Sequence, residues 1–486
     1  MMHKIKSFLF ENKTETQTII KNTFWLSVST FASRLIRAGM IIYAARILGT
    51  EGYGVFSYVL SVAGFFTVFS DIGISGILTR QAVQEPEKLT EYLSTTAILK
   101  GILTVLTVGV TIFVMPYFTK ITEAHPLIPL AALLLAFDSL RNFAVSLIRA
   151  RNKMELESGL NMLTDMCITI LGVAALIAAP STKLLAYGYV AGAGIGSFAS
   201  FFAIRKNLAE IFSNFKLSLA KHVIYSAWPF AIMSIFAGLM INIDMIIVGW
   251  FRTAGELGLY GAAMRPINVI YLIPGIFAIS IFPIASKFIK NGDVARMGRL
   301  LERSISSILA IGIPVVVGGI IVAPKLTTLL FGGAYEGATL PFQILLFTIP
   351  FVFVGNIIGN VLFAYDKQKS FVGAYGFGAV VNVALDFLLI PTFGIPGSAF
   401  ATVCSQLASN GYLWRTMRKT NPFHLFRNLK NIILASIVMG AACLALTGFG
   451  VPVIVTIVIG GGVYFATLFI LKEPLLEYVN PKKLLE

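Results

Sequence analysis

The sequence predicts an all-α integral membrane protein with fourteen transmembrane helices, on the evidence of its composition and of its long apolar stretches. Of the 486 residues, 57% are hydrophobic and 13% are charged, whereas a soluble domain carries about 25% charged residues. A hydrocarbon core of ~30 Å takes about 20 apolar residues to cross. The stretches do not alternate with period two, and backbone groups in lipid need partners within their own segment, so we predict helices.

Fourteen stretches have the required length. They lie near 22–46, 53–80, 92–116, 126–148, 157–179, 184–205, 223–250, 258–286, 304–323, 339–364, 370–391, 396–416, 429–448 and 452–471.

Composition also excludes several classes of protein. The low charge content argues against a solvated enzyme, a disordered protein and a nucleic-acid-binding protein. Cys167, Cys404 and Cys443 lie far apart in apolar stretches, so they offer neither a disulfide framework nor zinc spacing. We therefore predict no cofactor and no metal beyond Na⁺. No P-loop motif is present, so ATP hydrolysis within this chain is not expected to supply energy.

The distribution of Lys and Arg predicts the orientation. The chain has 38 Lys and Arg against 23 Asp and Glu, a formal charge of +15. Most of the basic residues lie in the two terminal segments and the even-numbered connections, which places both termini in the cytoplasm of a multi-pass plasma-membrane protein. Residues 1–21 resemble no signal peptide. We predict a cytoplasmic amphipathic segment there, with a solvated tail as the alternative.

Short loops and a weak internal echo predict two halves. The link 45–54 between spans one and two resembles 257–263 between spans seven and eight. Two related six-helix halves predict a substrate cavity at their interface. A ridge of Gly188, Gly192 and Gly196 predicts close helix packing. The predicted domains are an N-lobe at 22–205, a linker at 206–222, a C-lobe at 223–416, two extra helices at 429–471 and a cytoplasmic tail at 472–486.

Four segments carry a resemblance to a known superfamily. They are A-R-I-L-G-T-E-G-Y-G at 45–54, F-S-D-I-G-I-S at 69–75, F-G-G-A-Y-E-G-A at 331–338 and L-L-I-P-T-F-G-I-P-G-S-A at 388–399. The chain resembles the multidrug/oligosaccharidyl-lipid/polysaccharide flippase superfamily, in the branch that flips lipid-linked sugars. The resemblance implies V-shaped lobes around a central cavity, alternating access, and a polyprenyl-pyrophosphate-linked oligosaccharide as cargo.

Charged residues within the predicted spans are the candidate site residues. Each costs about 2.5–3.5 kcal/mol at a helix centre on insertion scales, so they should face the protein interior or water. Function is the first hypothesis for such residues, and structural ion pairing is its rival. The ten are Arg34, Arg37, Asp71, Lys100, Asp138, Arg141, Asp165, Asp244, Arg265 and Asp386.

Two arginines on span one predict an anion site. Arg34 and Arg37 lie three residues apart and share a helix face. Guanidinium groups bind phosphate oxygens bidentately, and S-R-L at 33–35 is similar to the Ser-Arg step at the cavity of related flippases. We predict that Arg34 and Arg37 bind the substrate's pyrophosphate, with Arg265 on span eight as their counterpart. The alternative is a neutralising bridge to Asp71.

Two further sets of charges have simpler interpretations. Asp138 and Arg141 lie three apart on span four, so an internal salt bridge is favoured over a role in substrate binding. Lys100 and Asp165 lie nearer the cytoplasmic helix ends, where they can reach the interface. We assign them no functional role.

A set of oxygen ligands predicts a cation site. Asp244 on span seven, Asn382 and Asp386 on span eleven, and Thr402 on span twelve lie about 7–13 Å below the outer surface at ~1.5 Å rise per residue. Carboxylate, amide and hydroxyl oxygens suit Na⁺ or a proton as coupling ion. The pattern is similar to the cation site of the lipid-linked flippase branch. The alternative is that Asp244 pairs with Arg265.

The predicted function is therefore a non-enzymatic flippase for lipid-linked oligosaccharide, driven by a cation or by membrane potential. A polysaccharide polymerase or glycosyltransferases are candidate partners, besides the lipid-linked substrate and the bilayer. The runner-up is a cation-coupled multidrug exporter of the same superfamily, which needs acids where span one has arginines. A membrane-embedded glycosyltransferase is disfavoured because the outward loops are short.

Overall fold

The computed structural model describes residues 15–151, 153–207, 214–424 and 429–474, and across these ranges the regular structure is entirely helical. Most of the predicted N-terminal segment 1–21, and most of the tail 472–486, lie outside the described residues. Each of the fourteen apolar stretches coincides with one helix or with two consecutive helices. By length and composition, ten described helices can each cross a membrane, and the count rises to eleven when the bent pair at 333–364 is taken as one broken span.

The chain divides into two compact units, Met1–Gly258 and Leu259–Glu486. This division falls within a helix that follows span seven, so the predicted boundary at 206–222 stays a prediction. The helices of the first unit are α1 Glu15–Phe69, α2 Ile74–Gln84, α3 Leu89–Phe113, α4 Met115–Phe118, α5 Ile128–Ala150, α6 Met154–Ala178, α7 Thr182–Ala203 and α8 Leu217–Phe251.

Helix α9, Ala254–Ile270, contains the division between the units. The remaining helices belong to the second unit. They are α10 Ile273–Lys290, α11 Val294–Phe331, α12 Thr339–Leu346, α13 Thr348–Ala364, α14 Lys369–Phe393, α15 Ile395–Thr420, α16 Lys430–Gly448 and α17 Val453–Ile470.

Local backbone chemistry determines where the apolar stretches break. Gly49, with φ of 67°, breaks α1 between spans one and two. Span two breaks again between α1 and α2, where Ile72 and Gly73 both have positive φ. Glycine adopts this conformation at no steric cost, but a β-branched residue such as Ile72 is strained there. Span eight divides before α10, whose first turn contains Pro274, because proline is favoured at a helix start and disfavoured inside one.

Small residues allow α6 and α7 to pack closely in the first unit. A Cβ atom added to Gly192 would lie 2.5 Å from the backbone of Ile168, and one added to Gly188 would lie 2.6 Å from the carbonyl oxygen of Leu171. A Cβ on Gly196 would lie 2.1 Å from a Thr164 side-chain atom. The glycine ridge is therefore a packing surface, which confirms its prediction.

The last two helices pack against α11 in the second unit. A buried cluster of Ala435, Met439, Cys443, Tyr464 and Leu468 joins α16 to α17. The Tyr464 hydroxyl donates to the carbonyl oxygen of Ala310 at 2.6 Å. These contacts attach α16 and α17 to α11 through both apolar packing and a directed hydrogen bond.

The first half of the echo motif contacts the second half directly. A Cβ atom on Gly54 would lie 1.8 Å from the carbonyl oxygen of Ala254, and one on Gly258 would lie 1.9 Å from the carbonyl oxygen of Thr50. Both glycines are therefore needed for two helical segments to cross with their backbones in contact. Within the first unit, the segment around Gly54 therefore lies against the beginning of α9.

Gly54→Ala should destabilise the protein strongly, because the added methyl group would overlap a backbone carbonyl that cannot move aside alone. Overpacking of this kind costs about 1–3 kcal/mol or more. The measurement is the thermal unfolding midpoint of the purified protein in detergent. Gly109→Ala is the matched control, since a Cβ there meets no atom within 4 Å. Equal midpoints for the two variants would contradict the tight crossing.

Candidate functional site

The candidate site in the first unit starts from three positions on one side of α1. At 100° per residue, Ser33, Arg34 and Arg37 lie within an arc of about 100°. Ser33 is buried, the Arg34 side chain is exposed and Arg37 is partly buried. Among the residues that the structure describes, none forms an ion pair or a hydrogen bond with Arg34. Its guanidinium is thus accessible to a ligand.

Arg37 lies against an acid and an aromatic ring. Its Nε atom is 2.5 Å from Oδ1 of Asp165 on α6, with the two side chains 34% and 15% exposed. The guanidinium carbon lies 5.5 Å from the ring centroid of Tyr189 on α7, a cation–π distance. Arg37 therefore joins α1 to α6 and α7 through charge.

A second charge pair lies within α5 and contacts α6. Arg141 Nη2 donates to Asp138 Oδ1 at 3.3 Å within α5, which confirms the predicted internal salt bridge. Arg141 Nη1 also donates to Asn161 Oδ1 on α6 at 2.9 Å. Asn161 lies one helical turn before Asp165 on α6. Each of these two side chains contacts an arginine of another helix, Asn161 that of α5 and Asp165 that of α1. The pair ties α5 to α6.

We name Arg34, Arg37, Asp138, Arg141 and Asp165 the charge cluster. It contains three guanidinium groups and two carboxylates, so it keeps one net positive charge. Asp138 also acts electrostatically on Arg37. A net positive, partly exposed cluster inside a membrane protein suits an anionic ligand better than a cationic one.

Asp71 has a partner other than the one considered from sequence. Its Oδ1 atom accepts from Lys100 Nζ at 2.8 Å and from Ser75 Oγ at 2.7 Å, and Lys100 Nζ also donates to Ser75 Oγ at 2.7 Å. Asp71 lies at the break between α1 and α2, so its carboxylate reaches α3 there. The alternative in which Asp71 neutralises Arg34 or Arg37 is therefore wrong: Lys100 is its salt-bridge partner, and Asp165 is that of Arg37.

Part of the predicted cation set lies in the second unit. Asn382 Nδ2 approaches Asp386 Oδ2 at 3.5 Å, one turn apart on α14, and both side chains are buried. The hydroxyl of Thr402, on α15, lies 3.2 Å from the Tyr260 hydroxyl and donates to the carbonyl oxygen of Ser398. The structure thus buries oxygen atoms of all three residues in this unit.

The two other residues of the predicted sites, Asp244 and Arg265, belong to different units. Asp244 is buried on α8 in the first unit, and Arg265 is partly buried on α9 in the second. Their predicted roles in cation binding, pyrophosphate binding or mutual pairing stay predictions.

Sequence reasoning gave no role to four residues that the structure connects to charged groups: Asn161, Asp165, Tyr189 and Lys100. One signal was present, since Asn161 and Asp165 lie four residues apart on one face of span five. The partners on other helices could not be identified without the packing of those helices.

Lys100→Met should destabilise the fold, because it leaves the Asp71 carboxylate without its cation in a site where Lys100 is only 4% exposed. Removing one partner of a buried ion pair costs about 3–5 kcal/mol. The thermal unfolding midpoint measures this loss. Asp71→Asn in the same chain should recover most of it, because the uncompensated charge is then gone.

Lys88→Met is the control for this prediction. Lys88 pairs with Glu85 at 2.7 Å, but the two side chains are 53% and 34% exposed. Water screens such a pair, so its loss should change the midpoint little. If Lys100→Met were as stable as Lys88→Met, the ion pair at the α1–α2 break would have no structural importance.

Comparisons with known proteins agree with the resemblance. A family model described as polysaccharide biosynthesis protein matches residues 19–289, and one described as MatE matches residues 229–388. The probable low-salt glycan biosynthesis flippase Agl15 of Haloferax volcanii is 23% identical over 390 residues, covering 78% of this chain and 80% of that protein.

A second relative and one solved structure are also similar. The probable lipid II flippase MurJ of Thermotoga maritima is 30% identical over 208 residues, covering 41% of this chain and 42% of that protein. A solved structure titled lipid II flippase MurJ, inward closed conformation, superposes with a TM-score of 0.78 at 19% identity, covering 93% of this chain and 99% of that one. At this identity the structural likeness establishes the fold alone.

Proposed function

The chain belongs to the family of polysaccharide biosynthesis proteins, within the multidrug/oligosaccharidyl-lipid/polysaccharide flippase superfamily, and we propose that it flips a polyprenyl-pyrophosphate-linked oligosaccharide from the inner to the outer leaflet of the plasma membrane. The names of its relatives support this cargo class, because Agl15 is named as a glycan biosynthesis flippase and MurJ as a lipid II flippase. The protein acts as a transporter and not as an enzyme.

The observation that carries the proposal is the net positive charge cluster, in which the guanidinium of Arg34 is exposed and forms no ion pair with a described residue. A pyrophosphate offers several anionic oxygens, and guanidinium binds such oxygens with two parallel hydrogen bonds. Arg34 is the primary contact, because no acid of the described chain competes for it. Arg37 contributes from the next turn, and Arg265 is the proposed counterpart in the second half.

We propose the remaining architecture on the same grounds. Fourteen spans form two pseudo-repeated six-helix lobes followed by two extra helices, and both termini are cytoplasmic. The coincidence of every predicted span with a helix, and the concentration of basic residues in alternate connections, support this topology. Alternating access then carries the pyrophosphate and sugar across while the lipid tail stays in the bilayer.

The proposed coupling ion is Na⁺ or a proton bound at Asp386. Asn382 and Thr402 offer further oxygens in the same unit, and Asp244 is the proposed fourth member. A bound cation shifts the conformational equilibrium only by the difference in its affinity for the two states. Burial of Asp386 on α14 supports the assignment, because acidic residues within membrane-spanning helices commonly mark ion paths.

The alternative is a cation-coupled multidrug exporter. The observation in its favour is the match of the MatE family model to residues 229–388. An exporter of cationic drugs needs accessible carboxylates. Within span one, the exposed group at the candidate site is instead the guanidinium of Arg34, which repels a cation. Within the preferred class, the cargo is a surface-polysaccharide repeat unit or a lipid II-like precursor. A polymerase or glycosyltransferases would act beside the protein.

Arg34→Ala should abolish transport while the protein stays folded, because an exposed side chain with no partner among the described residues contributes little to stability. Flipping of a fluorescent polyprenyl-pyrophosphate lipid in reconstituted vesicles measures the effect. Arg34→Lys should keep only part of the activity, since an ammonium cannot bind phosphate bidentately.

Arg299→Ala is the matched control for Arg34. Arg299 is an exposed arginine near the beginning of α11, and its loss should leave flipping unchanged. Wild-type flipping by Arg34→Ala would contradict the pyrophosphate assignment.

Asp386→Asn should remove the dependence of flipping on Na⁺ or pH, because the amide cannot bind a proton or neutralise a cation. The measurement is flipping rate against Na⁺ concentration and against pH in vesicles. Asp366→Asn, at an exposed position after α13, is the control and should keep the wild-type dependence. A dependence that persists in Asp386→Asn would place the coupling ion elsewhere.

A further inference from the structure

The contact between Arg37 and Asp165 bears on how the substrate is released, a question that rests on the proposed function. Arg37 follows Arg34 by three residues, so their Cβ atoms are about 5–6 Å apart on one helix face. A pyrophosphate has two phosphoryl groups, and each can accept a guanidinium. The substrate therefore needs both arginines, yet one of them already contacts a carboxylate.

The Arg37–Asp165 pair is partly exposed, although the Arg37 Nε atom at the contact is itself buried. Its side chains are 34% and 15% exposed, whereas Lys100 in the other pair is 4% exposed. Tyr189 lies at a cation–π distance from the Arg37 guanidinium, so the ring stays as a support when the carboxylate partner changes. Arg37 can thus change partners without leaving its place on α1.

The remaining acid of the cluster does not compete for Arg37 in the same way. Asp138 is held by Arg141, and Arg141 is held in turn by Asn161. Asp165 is the acid whose recorded ion pair is with the arginine on α1. Its carboxylate resembles a phosphate oxygen in charge and in the geometry that guanidinium prefers.

We propose that Asp165 is a built-in competitor of the substrate's pyrophosphate for Arg37. In the unloaded protein Asp165 holds Arg37. Pyrophosphate displaces the carboxylate when it binds, and the return of Asp165 to Arg37 assists release into the outer leaflet. Asp165 acts through Arg37, so it is a positioning residue that limits affinity in favour of turnover.

A purely structural role for Asp165 predicts a different result. A bridge that only joins α1 to α6 would, when removed, loosen the site and weaken binding. A competitor, when removed, strengthens binding and slows release. Affinity and turnover therefore move in opposite directions only if the proposal is right.

The experiment uses the full chain in lipid nanodiscs and vesicles with undecaprenyl pyrophosphate as the probe. Asp165→Asn should bind the probe roughly ten-fold more tightly, in the range of typical coupling between two competing interactions, and should flip it more slowly. Asp165→Glu keeps the charge and should keep the wild-type affinity. In an Arg37→Gln background, Asp165→Asn should leave the affinity unchanged, because the competition needs Arg37.

Each outcome distinguishes the two proposals. Folded Asp165→Asn with wild-type or weaker affinity overturns the competitor, even when Arg34→Ala abolishes binding and the flippase proposal stands. A wild-type protein that does not bind the probe overturns both. If Asp165→Asn does not fold, Asp165→Ser replaces it, because serine also removes the carboxylate: roughly ten-fold tighter binding supports the exchange, and an unchanged or weaker affinity overturns it.

Discussion

The structure depends on the compensation of charge inside an apolar chain. A lone ionised group at the centre of a membrane helix is costly, so each buried charge needs a partner or access to water. The first unit satisfies this requirement by pairing across helices: Lys100 with Asp71, and Arg37 with Asp165. Apolar packing alone tolerates some sliding between helices, whereas an ion pair in lipid specifies which residues must meet.

Arg34 is the exception to this pairing. Arg37, one turn further along α1, is neutralised by Asp165, whereas no described acid forms an ion pair with Arg34. The same cost that forces other charges into pairs makes such a group a strong attractor for an anion. The proposed transport site is therefore a local excess of positive charge beside ion pairs that neutralise each other.

The sequence predicted the helices better than the contacts between them. Each apolar stretch identified from the sequence falls on one helix or on two consecutive helices, because the thickness of the bilayer sets a segment length that the sequence alone reveals. The break at Ile72 and Gly73 was missed, since it depends on φ values that apolar content does not encode. The Asp138–Arg141 bridge was predicted because both residues lie on one helix. The Asp165 partner of Arg37 was missed because it lies on another helix, whose packing no spacing rule supplies.

The crossing of Gly54 with Ala254, and of Gly258 with Thr50, has a genetic consequence. Where two main chains touch, the contacting atoms belong to the backbone, so a second mutation cannot remove them. A defect created at either glycine should then resist suppression by substitutions at the contacting residues. Revertants would have to arise at distant positions that let the whole helix shift, or restore glycine itself.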